Sequence, residues 1–289
     1  MIEQEINAQS IVSNVELNSG YINEDIIILD NVRKFIEPDS VRMEMNAIVL
    51  CTDGRAQGIM NKEQLEILKN QVVMLPPGVK CTDLMISPDF EFKALFLTNR
   101  ILQQFLHDKM AIWNKAMYIN KIHIYTMQRE EDMAFYNHIY ELIQICIENK
   151  NNNPLNSEII QSLLRSAVLA ICGEFMRFSK DEGTKSNYHF QRFIDILSSG
   201  KVRHRSVESY AEELCITPKY LSTICKTKSG KTANQWITEY LMEEIRYQLK
   251  QTTMSIKEIS NSLGFPNPSF FGRFVKDHSG MTPLQMRNE

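Results

Sequence analysis

The amino-acid sequence predicts a multidomain α+β protein: a β-barrel with attached helices, then an all-α domain in which a long helix joins two helix-turn-helix units. Three observations carry this. A stretch from Ser206 to Pro283 states one pattern twice. Residues 41–49 and 90–96 alternate apolar and polar side chains, the period of a half-buried strand. Beyond Ile101 the apolar period becomes helical.

The repeat comes first because each copy should be one supersecondary unit. Ser206–Ile216 reads S-V-E-S-Y-A-E-E-L-C-I and Ser255–Phe265 reads S-I-K-E-I-S-N-S-L-G-F, an offset of 49. After the extra Pro266 the offset is 50, and Thr217–Lys226 (T-P-K-Y-L-S-T-I-C-K) lies over Asn267–Lys276 (N-P-S-F-F-G-R-F-V-K). Ser229-Gly230 then matches Ser279-Gly280, and Thr232 matches Thr282. Each copy reads helix, tight turn, helix. Ser255 three residues before Glu258 is a capping box, and Ile256, Ile259 and Leu263 form one stripe. Gly264 stands where a helix ends in the left-handed conformation. Asn267 caps a second helix with Pro268 in its first turn, where a missing N–H costs nothing. Phe270, Phe271, Phe274 and Val275 make its expected buried face, leaving Ser269, Gly272, Arg273 and Lys276 outside. In the first copy Tyr220, Leu221, Ile224 and Cys225 point inward, and Lys219, Ser222, Thr223 and Lys226 outward.

A second helix that is polar and basic outside suits a DNA-reading unit, although one isolated copy would suit an ordinary αα-hairpin as well. The duplication tips the reading toward DNA. Between the copies, Ala233 to about Leu249 carries Trp236, Ile237, Tyr240, Leu241, Ile245 and Leu249 at helical spacing. Such a helix spans roughly 25 Å. It is a strut able to hold two recognition helices about one DNA turn, ~34 Å, apart.

These residues resemble the DNA-binding domain of the AraC/XylS transcription regulators. The matching positions are A-E-E-L-C-I-T-P-K-Y-L-S-T-I-C-K-T-K-S-G in the first unit and I-K-E-I-S-N-S-L-G-F-P-N-P-S-F-F-G-R-F-V-K-D-H-S-G-M-T-P-L-Q-M-R in the second. The resemblance covers about the last hundred residues and implies two helix-turn-helix units entering successive major grooves. Carried over by position, it implies base readers at Lys219, Ser222 and Thr223, and at Pro268, Ser269 and Arg273. Asn267, Lys226 and Lys276 complete the DNA-facing set, the lysines as phosphate contacts. Thr223 stands where the family commonly has arginine, and Cys225 where it usually has phenylalanine. The resemblance also implies RNA polymerase as a partner.

Charge agrees once it is divided. The whole chain carries a net charge of −3, but from Tyr188 onward there are 14 basic and 10 acidic side chains. That leaves −7 for residues 1–187, so the positive excess sits where the DNA motif lies. The six cysteines are scattered with no C-x-x-C spacing, which reads as buried free thiols in a reducing cytosol. The longest apolar run near the N-terminus, Ile26 to Leu29, is too short for a signal peptide or a membrane span. A cytoplasmic protein is expected.

Residues 1–20 read as a polar arm. The alternation of Val41, Met43, Met45, Ala47 and Val49 predicts one strand, ended by a turn at Thr52-Asp53-Gly54. Gln71–Leu75 runs into Pro76-Pro77-Gly78, which cannot continue a central strand, and Phe90, Phe92, Ala94 and Phe96 alternate again. Here the AraC/XylS resemblance extends weakly to a cupin-like barrel through L-P-P-G at Leu75–Gly78. Its metal-binding versions need histidines, and this region has none before His107. No metal, cofactor or catalytic residue is assigned, and the chain reads as a non-enzyme. What remains is a barrel whose mouth holds a small-molecule effector, or one that only packs and pairs.

Two helices follow, Asp132–Ile147 with Phe135, Ile139, Leu142, Ile143 and Cys146, and Ser157–Phe178 with Ile160, Leu164, Val168 and Ile171. Core packing is the commoner fate of such stripes; family resemblance adds a homodimer through Phe135, Ile139 and Leu142. The boundaries predicted are a sensor and dimerisation domain over 1–180, a linker over 181–187, and the DNA-binding domain over 188–289. The functional reading is a sequence-specific, DNA-binding, ligand-responsive activator. The alternative is a regulator of the same DNA-binding type without a ligand, controlled by a protein partner or by its own abundance.

Overall fold

The computed structural model describes residues 3–6, 20–30, 40–60, 63–119, 124–127, 129–148, 153–178, 185–199 and 206–288. Most of the expected N-terminal arm, His123, and residues 181–184 of the expected linker lie outside them. By contacts the chain divides into two compact units, residues 1–106 with 121–178, and residues 107–120 with 179–289. The strands are β1 (Glu3–Ile6), β2 (Gly20–Ile22), β3 (Ile26–Asp30), β4 (Ser40–Met43), β5 (Asn46–Asp53), β6 (Arg55–Met60), β7 (Glu63–Leu68), β8 (Gln71–Leu75), β9 (Lys80–Ile86), β10 (Glu91–Leu97) and β11 (Ile124–Thr126). The helices are α1 (Asn99–Leu106), α2 (Met110–Asn114), α3 (Glu130–Glu148), α4 (Asn156–Phe178), α5 (Lys185–Ser198), α6 (Val207–Glu213), α7 (Pro218–Ser229), α8 (Ala233–Gln251), α9 (Ile256–Ser262), α10 (Pro268–Ser279) and α11 (Pro283–Asn288).

In the first unit the strands form a five-stranded sheet, order β1-β4-β9-β6-β7, and a six-stranded sheet, order β11-β8-β5-β10-β3-β2. All pairs are antiparallel except β1 with β4. The alternation read along residues 41–49 divides between two strands. Glu44 and Met45 form a bend, so β4 joins one sheet and β5 the other. The turn expected at Gly54 is present with φ +67°. A Cβ there would lie 2.7 Å from the backbone of Phe90, so only glycine fits.

Ile27, Leu29, Met43, Ala47, Phe92 and Phe96 fill the apolar core of this unit. Because strand side chains alternate, the neighbours of these residues emerge on the opposite face of the six-stranded sheet. Ile28, Ile48, Leu50, Val72, Lys93 and Leu95 meet Ile139 and Ile143 of α3 and Leu164 and Ile171 of α4. A sheet covered on both faces needs continuous apolar strands. This accounts for Ile26, Ile27, Ile28 and Leu29 all being buried.

By length and composition α4 could cross a membrane. Here Ile160, Leu164, Val168, Ile171 and Phe175 are all buried, and Arg165 Nε donates to the Phe105 carbonyl at 3.0 Å. Each such apolar side chain contributes about 1.5–3 kcal/mol when fully buried. The helix packs on α1 and α3 as a core element.

The stripe expected on α3 divides in two. Ile139 is only 8% exposed and belongs to the inner face, which removes it from the expected dimer contact. Phe135 and Leu142 are 43% and 48% exposed. With His138 and Ile145 they form an exposed row at spacings of three, four and three residues.

The helical unit holds an element the sequence reading did not place there. Residues 107–120, including α2, pack with α5 and α7. Trp113 is 1% exposed, and Asn114 Nδ2 donates to the Tyr240 hydroxyl at 2.7 Å. That hydroxyl also pairs with Ser198 Oγ at 3.0 Å, and Tyr118 meets the Trp236 ring edge-on at 5.5 Å. Burial pushes the Tyr240 phenol up to about 12, so it stays neutral within this network.

Candidate nucleic-acid interface

The duplication read in the sequence recurs atom by atom. Thr217 Oγ1 accepts from the Tyr220 N–H at 3.2 Å, and Asn267 Oδ1 accepts from the Phe270 N–H at 2.8 Å. Both recognition helices, α7 and α10, start on proline and end on a left-handed glycine, Gly230 at φ 73° and Gly280 at φ 75°. Ser229 and Ser279 each bond back to the carbonyl four residues earlier. Thr232 and Thr282 then open the next helix, each with its N–H bonded to a glutamine side chain, Gln235 and Gln285. The sequence reading missed that glutamine pair, although T-x-x-Q is a visible capping box.

The turn inside each unit shows why one copy is strained. Gly264 has φ 78° and its counterpart Cys215 has φ 57°. A residue with a Cβ is disfavoured in the left-handed region by about 1–2 kcal/mol, and glycine is not. Cys215→Gly is therefore expected to stabilise the helical unit by about 1 kcal/mol. Thermal unfolding of the two proteins measures it, and an unchanged or lower midpoint would contradict the account. Cys215 is also exposed, contrary to the expected burial of the thiols, whereas Cys225 is fully buried and burial pushes it up to about 12.

Leu221, Ile224 and Cys225 of α7 and Phe271 and Val275 of α10 face inward. Two aromatics expected inside are partly out at the same place in both copies, Tyr220 at 42% and Phe270 at 44% exposure. Each sits in the first turn of its helix, Tyr220 with its ring 6.1 Å from that of His189 and Phe270 with its ring 6.3 Å from that of Phe265. Phe274 packs against Phe265 at 5.3 Å.

The polar faces come out as expected. Lys219, Thr223 and Lys226 are exposed and Ser222 half-buried on α7; Pro268, Ser269, Arg273 and Lys276 are exposed on α10. Asn267 is exposed as well, but its Oδ1 is committed to the helix cap, so any contact it offers a partner is as a donor through its amide N–H₂. Thr223 Oγ1 donates to the Lys219 carbonyl at 2.9 Å, so its hydroxyl proton is committed too. Lys226 and Lys276 lie in the last turns of their helices, where a cation is favoured by the helix dipole. Lys231 is held away from this role by Glu239 at 2.6 Å and by the Trp236 ring.

The strut α8 runs 19 residues, about 28 Å at the helical rise. It buries Trp236, Ile237, Tyr240, Leu241, Ile245 and Leu249. Its far end is clamped by Arg287 of α11, which donates to the carbonyls of Leu249 and Met254.

A family model described as a helix-turn-helix domain matches residues 210–289. Among curated proteins, the HTH-type transcriptional activator RhaR of Salmonella schwarzengrund is 22% identical over 143 residues, 49% of this chain and 50% of that protein. The Msm operon regulatory protein of Streptococcus mutans is 26% identical over 142 residues, 48% and 51% of the two chains. The chain thus spans about half the length of the curated relatives it matches. Among solved structures, the C-terminal domain of AraT, a response regulator from Geobacillus stearothermophilus, is 25% identical with a TM-score of 0.33, covering 36% of this chain and 88% of that one. With the duplicated caps, turns and basic outer faces in place, residues 210–289 of this chain are a helix-turn-helix domain.

Proposed function

We propose that the protein is a sequence-specific DNA-binding transcription activator that works as a homodimer in the cytoplasm, contacts RNA polymerase, and responds to a small molecule. The observation that carries the DNA reading is the pair of matched recognition helices. Each is capped and terminated alike, each has a basic outer face, and one rigid strut joins them. Single contacts of this kind are weak; two helices on one strut double the number of base edges and phosphates reached. The domain boundary near residue 180 remains part of this reading, with residues 107–120 added to the DNA-binding side. Selection from randomised duplex DNA by the full chain tests it. Enriched sites should hold two short motifs about 10 base pairs apart, and binding should fall steeply with salt. Failure to enrich any sequence would overturn it.

Homodimerisation rests on the exposed Phe135–His138–Leu142–Ile145 row of α3, whose spacing is that of a helix-pairing seam. Leu142→Glu places a charge on the exposed side without touching the core. The expected result is a monomer of unchanged helix content by sedimentation. Ile139→Glu, on the buried side, should unfold the first unit instead. A Leu142→Glu protein that stays dimeric would move the interface elsewhere.

A further inference from the structure

We infer that Phe270 is a base-reading residue of the second helix-turn-helix unit, and that it reads a thymine through the C5-methyl group. The inference deepens the DNA-binding reading above and rests on it. Hydropathy assigns this ring to the core, yet the structure leaves it 44% exposed in the first turn of α10.

In a recognition helix the N-terminal residues are the ones that approach base edges. At the start of α10 the side chains of Asn267, Pro268, Ser269, Phe270 and Arg273 are exposed, with Gly272 half-buried. Phe270 and Arg273 are the two longest of these. Three positions apart on a helix, they are surface neighbours. Helical side chains also lean toward the N-terminus, which carries the Phe270 ring over the end that meets the bases. Its seat is firm. Phe265, only 5% exposed, backs the ring at 6.3 Å between centres and is itself packed edge-on against Phe271 at 5.0 Å. A ring supported in this way gives up little freedom on binding.

The surroundings select what such a ring can read. From Ile259 to Gly272 no residue carries a charge, and Pro266 and Pro268, four and two residues before Phe270, are exposed. The matching stretch of the first unit, Tyr210–Ser222, carries Glu212, Glu213 and Lys219. The second unit therefore meets DNA with a neutral, apolar tip that offers a phosphate no cation. In the major groove the apolar feature of a base edge is the thymine methyl. A phenyl ring set against it takes both groups out of water, while Arg273 beside it suits guanine. Together the two side chains read a thymine close to a guanine. Tyr220, at the same place in the first unit, carries a hydroxyl and follows Lys219, so the hydrocarbon reader belongs to the second unit.

The test uses the full chain and the sites it enriches from randomised duplex DNA. Thymine should be enriched in one of the two motifs, and replacing it by deoxyuridine removes the methyl while leaving the base pair intact. Binding should then fall about three- to fivefold, the worth of one buried methyl. Phe270→Ser should bind the thymine duplex more weakly and no longer tell thymine from uracil. Phe270→Tyr, which keeps the ring, should retain the difference. A merely structural Phe270 would lower affinity for both duplexes and leave their ratio unchanged. With 5-iododeoxyuridine at the same position, irradiation should attach the DNA to the peptide that contains Phe270, and this result decides alone should Phe270→Ser fail to fold. The proposal is overturned if every thymine of the motifs can be replaced by uracil without loss, if Phe270→Ser keeps the thymine preference, or if the crosslink falls on another residue. In each of these cases sites are still enriched, so the DNA-binding reading stands. Enrichment of no sequence overturns that reading, and this one with it.

Discussion

Replacing Trp113 by alanine should lower the stability of the helical unit by about 3–5 kcal/mol, the cost of removing a fully packed aromatic. The residue lies some seventy positions before the rest of that unit, yet it is among its most buried side chains at 1% exposure. Its neighbour Asn114 holds the Tyr240 hydroxyl, and Tyr118 covers an edge of Trp236. Removing the indole opens a cavity that a helix of only five residues, Met110–Asn114, cannot close by shifting. Urea unfolding followed by the fluorescence of Trp236, the second of the two tryptophans, reports on the unit directly. The same reasoning applies to a fragment starting at residue 188. It lacks residues 107–120, so its midpoint should fall well below that of the full chain, and adding back residues 107–120 should restore it. A Trp113→Ala protein within about 1 kcal/mol of the parent would show that this segment only rests on the unit and does not build it.

How far the chain could be read without coordinates follows from what was local. The caps at Thr217, Ser255 and Asn267, the glycine end at 264 and the inward stripe of α8 are each decided by residues close to one another in the sequence. All were legible. The alternation of Phe92, Ala94 and Phe96 was legible for the same reason. Ile139 was not, because a helix with apolar residues around much of its circumference presents two stripes, and sequence does not say which meets the sheet. The segment 107–120 was missed because its partners, Ser198, Trp236 and Tyr240, are some eighty to one hundred and thirty residues away, and no period connects them. Lys93 was hidden by its own strand: one charge in an otherwise regular alternation reads as the solvent side. Only the covering helices turn that side into an interior. Tyr220 and Phe270 were placed inside by hydropathy, yet a first-turn residue has no preceding turn of helix to lie against. Within the DNA-facing set, what the structure adds is the state of the polar atoms. The Asn267 carbonyl oxygen and the Thr223 hydroxyl proton are already used inside their own helices.

That distinction sharpens the expected difference between the two recognition helices. Arg273 and Thr223 occupy the same place in the repeat, and both are exposed. An arginine can bond the two acceptors of guanine together, which is worth about 1–3 kcal/mol of discrimination. Thr223, with its proton given to the Lys219 carbonyl, retains a lone pair and a methyl group, which suits only a single donor or a thymine methyl. Arg273→Ala should therefore weaken specific binding by about tenfold or more and flatten the preference at one base pair of its motif. Thr223→Ala should change affinity by less than about threefold. Lys226→Ala and Lys276→Ala should instead lower affinity for every sequence and each reduce the salt slope by about 1, as lost phosphate contacts do. Selection from randomised DNA with each variant separates these effects, since base preference and overall affinity are read independently. If Arg273→Ala binds more weakly but enriches the same sequences as the parent, Arg273 is a phosphate contact. Recognition by the second unit would then have to rest on Ser269, Pro268, Phe270 and the Asn267 amide.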